Sequence, residues 1–467
     1  MSKSEKRQQA TKVPEDFERC HPNAAGIDIG AKEIWVSVQP SRAEQSVRSF
    51  ATFTNGLEEL ATWLLACGVD TVAMESTGVY WVPLYEILVD RGIDPFLVNT
   101  REVKCVPGRK SDVLDCQWLR RLHTHGLLRK SFRPGPEIVE IREYLRVRDS
   151  HVHCAADCVR RMQKALSLMN LQLHHVVSDV TGKTGMAILR DIVAGERDPK
   201  TLATHRDYRC ASPADKIEAA LTGNYRAEHI FALRHSLTLY DRYQDLISEC
   251  DHVALERIQS LPQRAQGTEQ PPRTAPLRQR KRRNHEATVD YASAMLPALG
   301  IDLTAVPGFS DLSAAGFLSE VGTDMTRWPT AAHFCSWLRT CPRTDITGGK
   351  VKSRSPMPTS SRANALLRMA ALNAGRTNTD VGAFYRSIAR RKGNGQAVVA
   401  TANKLARIIY TMLRYGVSYQ TQGAERWEEQ RRERAICQLR KQADQLGYCL
   451  VQAEEKTPDT ASAAAAS

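Results

Sequence analysis

The sequence has 467 residues, of which 42% are hydrophobic, and this length predicts about two or three domains with sizeable cores. Lys and Arg number 65 against 52 Asp and Glu, and the net charge of +13 favours a polyanion such as nucleic acid as partner, although a basic protein without such a partner has the same composition. The twelve cysteines form no Cys-x-x-Cys pair, so we expect no disulfide framework. No apolar run is long enough to span a bilayer or to form the core of a signal peptide, so we expect a cytoplasmic protein without a membrane partner.

The first part of the chain has an α/β pattern. Residues 1–21 are polar and predict a disordered tail, and residues 22–135 predict one domain. Its predicted elements are strands at Ala25–Ile29, Ile34–Val38 and Val47–Phe53, a helix from Leu57 to Cys67 capped by Asn55, a strand at Thr71–Met74 that ends at Glu75, a helix at about Val82–Arg91 and a strand at Pro95–Val98. This order is typical of a ribonuclease-H-like sheet.

Asp28 lies in the middle of the apolar first strand, where an unpaired charge is costly. In a ribonuclease-H-like sheet the strand that ends at Glu75 lies next to the first strand, so the carboxylates of Asp28 and Glu75 can face each other. Asp112 and Asp115 share one face of a helix that we expect to begin after Ser111. Four carboxylates placed in this way predict a site for two Mg²⁺ ions of the kind used in phosphoryl transfer.

The middle of the chain changes to a helical period. Apolar residues recur at alternating three- and four-residue spacing from Ile138 to Val176, with one miss at Arg148, and again from Ile230 to Ile258. The two runs predict a long antiparallel helical or coiled-coil arm at residues 136–260 with a folded insert, although two ordinary core helices would give a similar pattern. Residues 261–293 are rich in proline and basic residues and predict a flexible linker that lies on phosphates or is simply solvated.

A second globular unit is predicted at residues 294–420, with helices around Ala331–Trp337, Arg362–Asn373, Val381–Arg391 and Ala397–Tyr415. We expect this domain to be mostly α-helical. Residues 421–467 predict a pair of charged helices followed by a disordered tail rich in serine and alanine.

At this point the sequence resembles the transposases of the insertion-sequence-110 family, the DEDD transposases described as bridge-RNA-guided recombinases. The N-terminal resemblance is to a RuvC-like domain and is carried by Gly26-Ile27-Asp28-Ile29-Gly30, Met74-Glu75-Ser76-Thr77-Gly78-Val79-Tyr80 and Lys110-Ser111-Asp112-Val113-Leu114-Asp115. Further along, the resemblance is carried by Met162-Gln163-Lys164-Ala165-Leu166, Gly195-Glu196-Arg197-Asp198-Pro199, Val306-Pro307-Gly308, Asp345-Ile346-Thr347-Gly348-Gly349-Lys350-Val351 and Lys404-Leu405-Ala406-Arg407. It covers nearly the whole chain from about residue 22 to 450.

The resemblance implies a function. Asp28, Glu75, Asp112 and Asp115 would be the DEDD metal ligands, and a C-terminal serine before a glycine would attack a DNA phosphate and form a covalent 5′-phospho link. The metal site and the nucleophile would come from separate domains, in the family from different subunits of a tetramer. The implied partners are DNA, a structured non-coding guide RNA that pairs with both donor and target DNA, and further copies of the chain as a dimer or tetramer.

The sequence departs from the family pattern at the nucleophile, because the residue before the glycine pair is Thr347 rather than serine. A threonine hydroxyl can be a nucleophile, and we interpret Thr347 as that residue. Ser353 or Ser355 could serve instead, Thr347 could be a plain turn residue, or this copy could be inactive.

Two other functions fit parts of this pattern. The acidic site alone is consistent with a metal-dependent RuvC-like nuclease or junction resolvase without a covalent step. A non-catalytic nucleic-acid binder descended from either enzyme is the third hypothesis. The second globular unit with its Thr-Gly-Gly turn favours the recombinase, because a plain resolvase needs only the N-terminal domain.

Overall fold

The computed structural model describes residues 18–76, 78–99, 112–264, 286–356 and 361–451, without the side chains of residues 343–345 and 353–356. The predicted N-terminal tail up to residue 17, the cap Ser111, the basic linker at 265–285 and the final tail lie outside these residues. The chain divides into two compact units, Met1–Arg133 and Pro134–Ser467.

The N-terminal unit is built on a mixed sheet of five strands. The strands are β1 (Ala24–Ile29), β2 (Glu33–Ser37), β3 (Val47–Ala51), β4 (Thr71–Glu75) and β5 (Asp94–Val98). Their order in the sheet is β3-β2-β1-β4-β5; β1, β2 and β3 are antiparallel neighbours, and β1, β4 and β5 are parallel. The predicted α/β class and the order of elements are confirmed, with strand ends that differ by one or two residues.

Three described helices cover the two faces of this sheet: α1 (Thr54–Ala66), α2 (Trp81–Asp90) and α3 (Asp112–Thr124). Alternate residues of β1 explain the arrangement, because Ile27 and Ile29 join the core beneath α1 and α2. The intervening residues, Gly26 and Asp28, therefore face α3. The predicted cap of α1 is wrong: the N-cap position is Phe53, without a side-chain hydrogen bond, because the helix starts one residue before Asn55.

The second unit begins with a pair of long helices, α4 (Pro136–Leu168) and α9 (Ala227–Gln259). Arg257 near the end of α9 pairs with Glu140 near the start of α4, and the ring of Tyr243 lies beside that of His151, so the helices run antiparallel. Between them the chain forms four short helices, α5 (Leu173–Val176), α6 (Lys183–Ala194), α7 (Pro199–Ala203) and α8 (Ala214–Ala220). Their apolar residues share one core with the long pair.

The rest of this unit is mainly helical. Its described elements are α10 (Tyr291–Leu299), a 3₁₀ turn (Leu303–Ala305), α11 (Asp311–Val321), α12 (Ala331–Trp337), β6 (Pro342–Thr347), β7 (Lys350–Pro356), α13 (Arg362–Ala374), α14 (Asp380–Lys392), α15 (Asn394–Tyr415) and α16 (Ala424–Gln445). The antiparallel pair β6–β7 was not predicted from the sequence. None of the helices in the described ranges combines the length and apolar character that crossing a membrane requires.

A buried neutral histidine lies under the N-terminal sheet. His123 on α3 is 1% exposed, and its Nε2 lies 2.9 Å from the hydroxyl of Thr71, which itself donates to the carbonyl of Asp94. The hydroxyl must therefore accept from Nε2–H, and the buried Nδ1 has no hydrogen-bond partner in the described structure. Burial, with a smaller effect of the neighbouring His21, lowers the pKa of His123 to about 4 from 6.5.

This histidine makes the N-terminal unit sensitive to acid. Between pH 6.5 and about 4 the unfolded chain binds a proton that the native His123 refuses, so this contribution to stability falls as the pH falls through that window. We expect His123→Gln, which retains a donor for Thr71, to flatten the dependence of the free energy of unfolding on pH between 7 and 4.5. Urea unfolding of both proteins measures this slope. The exposed His153→Gln is the control, and an unchanged slope in His123→Gln contradicts the assignment.

Candidate active site

The two strand carboxylates lie side by side at the carboxyl ends of neighbouring parallel strands. Ile27 pairs with Met74 in the β1–β4 register, so Asp28 and Glu75 are the next residues along the two strands. Ala73, two residues before Glu75, packs against Leu119 of α3, which places Glu75 on the same face of the sheet as Asp28. Both side chains are half-buried.

Helix α3 supplies the other two carboxylates. Asp112 and Asp115 lie in its first turn, Asp112 exposed and Asp115 half-buried. The negative charges sit at the positive end of the helix dipole, which favours them there.

The helix can approach β1 closely because residue 26 is glycine. A Cβ atom built on Gly26 would lie 2.2 Å from the carbonyl oxygen of Cys116 and 2.3 Å from the amide nitrogen of Arg120. Both are backbone atoms of α3, so no side-chain rotation would relieve the overlap. The first glycine of Gly26-Ile27-Asp28-Ile29-Gly30 thus sets the distance between the helix and the strand that carries Asp28. The sequence contained this signal, but its meaning depended on knowing which element covers this face.

The pKa of Asp28 is affected by all three of the other predicted acidic residues. Burial, and after it the charges of Asp112, Asp115 and Glu75 in that order, together raise the pKa of Asp28 from 3.8 to about 6. A carboxylate feels like charges in this way only at short range. The four side chains are named here the acidic quartet.

Oxygen donors and concentrated negative charge fit a hard divalent cation, which would relieve the repulsion that raises the pKa of Asp28. The side chains are not arranged as a finished coordination sphere: within the described ranges, no three His, Cys, Asp or Glu side chains converge closely enough to hold one ion. Binding of a cation therefore requires rotation of these carboxylates toward it. The chemistry of the four carboxylates therefore suits a divalent cation, but their described side chains do not enclose an ion.

Thr347 lies in the other unit, at the tip of the β6–β7 hairpin. It is the last residue of β6, is exposed, and pairs with Lys350 across the two-residue turn Gly348-Gly349. Both glycines have positive φ, 57° and 75°, as a type I′ turn requires. The alternatives Ser353 and Ser355 lie in β7, and their side chains are outside the described structure.

Lys350 was missed as a candidate functional residue. A Gly-Gly pair flanked by Ile346, Thr347 and Val351 is a hairpin signal, and reading it would have placed Lys350 directly opposite Thr347. Lys350 is exposed and is the register partner of Thr347. The hairpin therefore has a basic residue on the same face as Thr347.

Comparison with known proteins gives matches in both units. Residues 25–171 match a family model described as a transposase, the DEDD transposase of IS110, and residues 302–386 match the model of the transposase IS116/IS110/IS902 family. The first match contains the acidic quartet and the second contains Thr347 and Lys350.

A curated relative gives the same result. The chain is 34% identical over 123 residues to an uncharacterized 43.6 kDa protein of insertion element IS110 from Streptomyces coelicolor. The aligned region covers 26% of this chain and 30% of the relative, so the chain spans less than a third of the protein that it matches. The two family matches and this relative therefore show that the chain is similar to transposases of the IS110 family in both of its units.

Proposed function

We propose that this protein is the DNA transposase of an insertion sequence, which cuts and rejoins DNA strands with Asp28, Glu75, Asp112 and Asp115 as a metal-binding centre and Thr347 as nucleophile. The observation that carries the proposal is the acidic quartet: Asp28 is half-buried, and the carboxylates of Asp112, Asp115 and Glu75 add to the effect of burial in raising its pKa to about 6. We infer that the five-stranded sheet with its three helices is a ribonuclease-H-like, RuvC-like fold, on which such a quartet is functional.

Mg²⁺, as two ions, is the cation that we propose for this centre, since DEDD transposases generally depend on a divalent metal. When bound, Mg²⁺ would neutralise charge on the scissile phosphate and on the leaving oxygen. The half-buried Asp28 and Glu75 would hold the ions against the sheet. Asp112 and Asp115 would close the site from the first turn of α3, which Gly26 allows to come close.

Thr347 would carry out the covalent step. Its hydroxyl oxygen forms a bond to phosphorus while the bond between phosphorus and the 3′-oxygen breaks, and the hydroxyl proton passes to a carboxylate or to solvent. The products are a 5′-phosphothreonine link and a free DNA 3′-hydroxyl. Attack of another 3′-hydroxyl on this link rejoins the strands and releases Thr347, so the phosphodiester energy is conserved without a high-energy cofactor. Lys350 beside Thr347 would pair with the phosphate.

The partners that we propose are DNA at the element ends and the target, a structured guide RNA encoded by the element, and further copies of this chain in a dimer or tetramer. The net charge of +13 supports nucleic acid as the partner. The antiparallel pair α4–α9 offers an elongated surface for the RNA or for self-association. We propose that the protein acts on DNA in the bacterial cytoplasm.

A covalent adduct tests this function. Full-length protein, end-labelled DNA that carries an element end, Mg²⁺ and RNA transcribed from the flanking DNA are mixed and separated on a denaturing gel. We expect a protein–DNA adduct with wild type, none with Thr347→Ala, and restored adduct with Thr347→Ser, which keeps the hydroxyl and removes the β-methyl group. Thr411→Ala, at an exposed threonine of α15, is the matched control and should behave as wild type.

The other outcomes of this experiment identify the competing functions. Free cut ends without an adduct would show a metal-dependent nuclease or junction resolvase instead of a recombinase. An adduct that survives Thr347→Ala but disappears in Ser353→Ala or Ser355→Ala would move the nucleophile to β7. No reaction of wild type under any of these conditions would contradict the enzymatic proposal.

A further inference from the structure

The β6–β7 hairpin has little contact with the other helices and strands in the described residues. Its two strands pack extensively against each other, and no other helix or strand in the described residues makes more than marginal contact with them. At its tip Ile346 is 64% exposed and Val351 is 46% exposed. An isolated two-stranded ribbon is marginally stable in water, and among the described residues Ile346 and Val351 remain open to solvent, which indicates that a partner covers this tip.

The tip has two chemically different faces. Residues directly opposite each other in an antiparallel pair point to the same side, and successive pairs alternate. The pair Thr347–Lys350 therefore lies on one face, and the next pair, Ile346–Val351, lies on the other. One face has a hydroxyl and an ammonium group, and the opposite face has two exposed branched apolar side chains.

The ribbon also has a strong positive charge. Between residues 342 and 356 the sequence contains four basic residues and one acidic residue. The pairing shifts by one residue after Ile346–Val351, because Asp345 pairs with Ser353 and leaves Lys352 as a bulge. Such a bulge increases the local twist of a ribbon and re-aims the exposed lysine.

We propose that the β6–β7 hairpin is a DNA-binding ribbon whose apolar face, Ile346 and Val351, inserts as a wedge against the bases and unstacks a base step beside the phosphate that Thr347 attacks. This inference rests on the proposed function and deepens it. A two-stranded ribbon fits a DNA groove, and branched apolar side chains are used as wedges between base pairs. The opposite face, with Thr347 and Lys350, then faces the sugar–phosphate backbone. Opening the base step next to the scissile phosphate frees the two strands to exchange.

DNA fits this surface better than a second copy of the chain does. Two side chains are far too small an apolar area for a stable protein interface, which buries on the order of 1,200 Å² or more. A second copy would also bring a net charge of +13 toward a basic ribbon, whereas DNA brings the opposite charge. A wedge needs little area, because its effect comes from insertion at one base step.

The test uses duplex DNA carrying an element end, with 2-aminopurine placed in turn at each base step around the cleavage position. We expect the full-length protein to raise the fluorescence of 2-aminopurine at one step, which reports unstacking. The double variant Ile346→Ser/Val351→Ser should lose this signal and bind DNA about tenfold more weakly. Lys350→Gln should keep the signal and reduce the slope of log affinity against log salt by about 1. Ile346→Leu with Val351→Ile should restore wild-type behaviour.

The matched control is Leu372→Ser, at a 44% exposed leucine on α13, which should change neither signal nor affinity. Unchanged unstacking in the double serine variant overturns the wedge even where the Thr347 adduct forms normally, so the two proposals fail separately. A double variant with normal DNA binding but reduced mass in sedimentation would overturn it as well, because the apolar face would then be a protein contact. If the wild-type protein unstacks DNA but forms no covalent adduct, the proposed function is contradicted, whereas the role of the ribbon as a DNA wedge stands.

Discussion

Replacing Asp28 with asparagine is expected to abolish DNA strand cleavage and, at the same time, to stabilise the protein in the absence of metal. The catalytic loss should be roughly a thousandfold or more, because metal stabilisation of the transition state is worth several kcal/mol. The gain in stability has a different cause. The Asp28 carboxylate is half-buried and is repelled by Asp112, Asp115 and Glu75, and asparagine has nearly the same shape without the charge.

The sign of the pH dependence follows from the raised pKa of Asp28. The native state holds the proton up to about pH 6, whereas the unfolded chain releases it near 3.8, so the native state loses stability as the pH rises through this window. Above pH 6 the carboxylate is charged in both states, and the native state bears the full cost of burying this charge beside three other carboxylates. Asp28→Asn should therefore be more stable than wild type at pH 8 by on the order of 1–3 kcal/mol, and equally stable below about pH 4.

Chemical unfolding at pH 4, 6 and 8, with EDTA or with Mg²⁺, measures both effects. We expect Mg²⁺ to raise the Tm of wild type at pH 8 and to change that of Asp28→Asn much less, since a ligand stabilises only the state that binds it. The control is Asp90→Asn, at an exposed carboxylate near the end of α2. A variant that still cleaves DNA would remove Asp28 from the site, and a variant no more stable than wild type at pH 8 would show that the quartet is not repulsive.

The placement of the quartet on strands and helix could be predicted because its signals are local. Each signal can be recognised from a short stretch of sequence: a carboxylate in an apolar run, a strand that ends at Glu75, and two aspartates three residues apart on a helix. Two α-helical runs with a heptad period likewise predicted α4 and α9. These features depend on period and on chain order, which a sequence contains directly.

The remaining features depend on contacts between distant residues. The need for glycine at position 26 comes from the backbone of α3, which begins over eighty residues later, and Gly26 has no local mark that distinguishes it from a turn glycine. The β6–β7 ribbon was missed because apolar alternation is short there and helices surround it. The Thr-Gly-Gly-Lys turn was visible, but the exposure of Ile346 and Val351 follows only from the lack of packing partners in the described structure.

Arg148, which interrupts the first heptad run, is another feature that depends on a distant contact, because its partner lies 103 positions away. Arg148 on α4 is 1% exposed and Asp251 on α9 is fully buried. Nε of Arg148 lies 2.5 Å from Oδ1 of Asp251, and Nη2 lies 3.3 Å from Oδ2. The sequence shows two polar residues in two apolar runs, and the structure shows that they compensate each other.

We expect Arg148→Met to destabilise the second unit by about 3–5 kcal/mol, because it leaves the carboxylate of Asp251 charged and buried without its partner. The carboxylate also accepts from the hydroxyl of Tyr291 at 2.8 Å and from the backbone amide of Thr288 at 2.9 Å. These two donors are neutral and do not balance the charge. They do explain why an apolar residue at position 251 would leave buried donors unsatisfied.

The double variant Arg148→Met/Asp251→Asn separates the charge from the hydrogen bonds. Asparagine retains an acceptor for Tyr291 or Thr288 and removes the buried charge, so we expect the double variant to be more stable than Arg148→Met alone. Urea unfolding of wild type, both single variants and the double variant gives the coupling energy. Arg160→Met, at an exposed arginine of α4 that pairs with the exposed Asp157, should change stability by less than about 1 kcal/mol.

A strong coupling between positions 148 and 251 would also explain how the two long helices choose one register. Heptad runs of similar apolar residues can slide by one repeat with little loss of apolar contact. A slide of α9 along α4 would separate Arg148 from Asp251 and leave two buried charges unpaired, at a cost larger than the contacts regained.

If the double variant is as unstable as Arg148→Met, the charge is not what selects the register, and the hydrogen bonds of Tyr291 and Thr288 to residue 251 would have to do so. If it recovers stability but samples more than one helix alignment, measured by disulfide crosslinking of cysteines placed on α4 and α9, the ion pair is retained for its specificity rather than for stability.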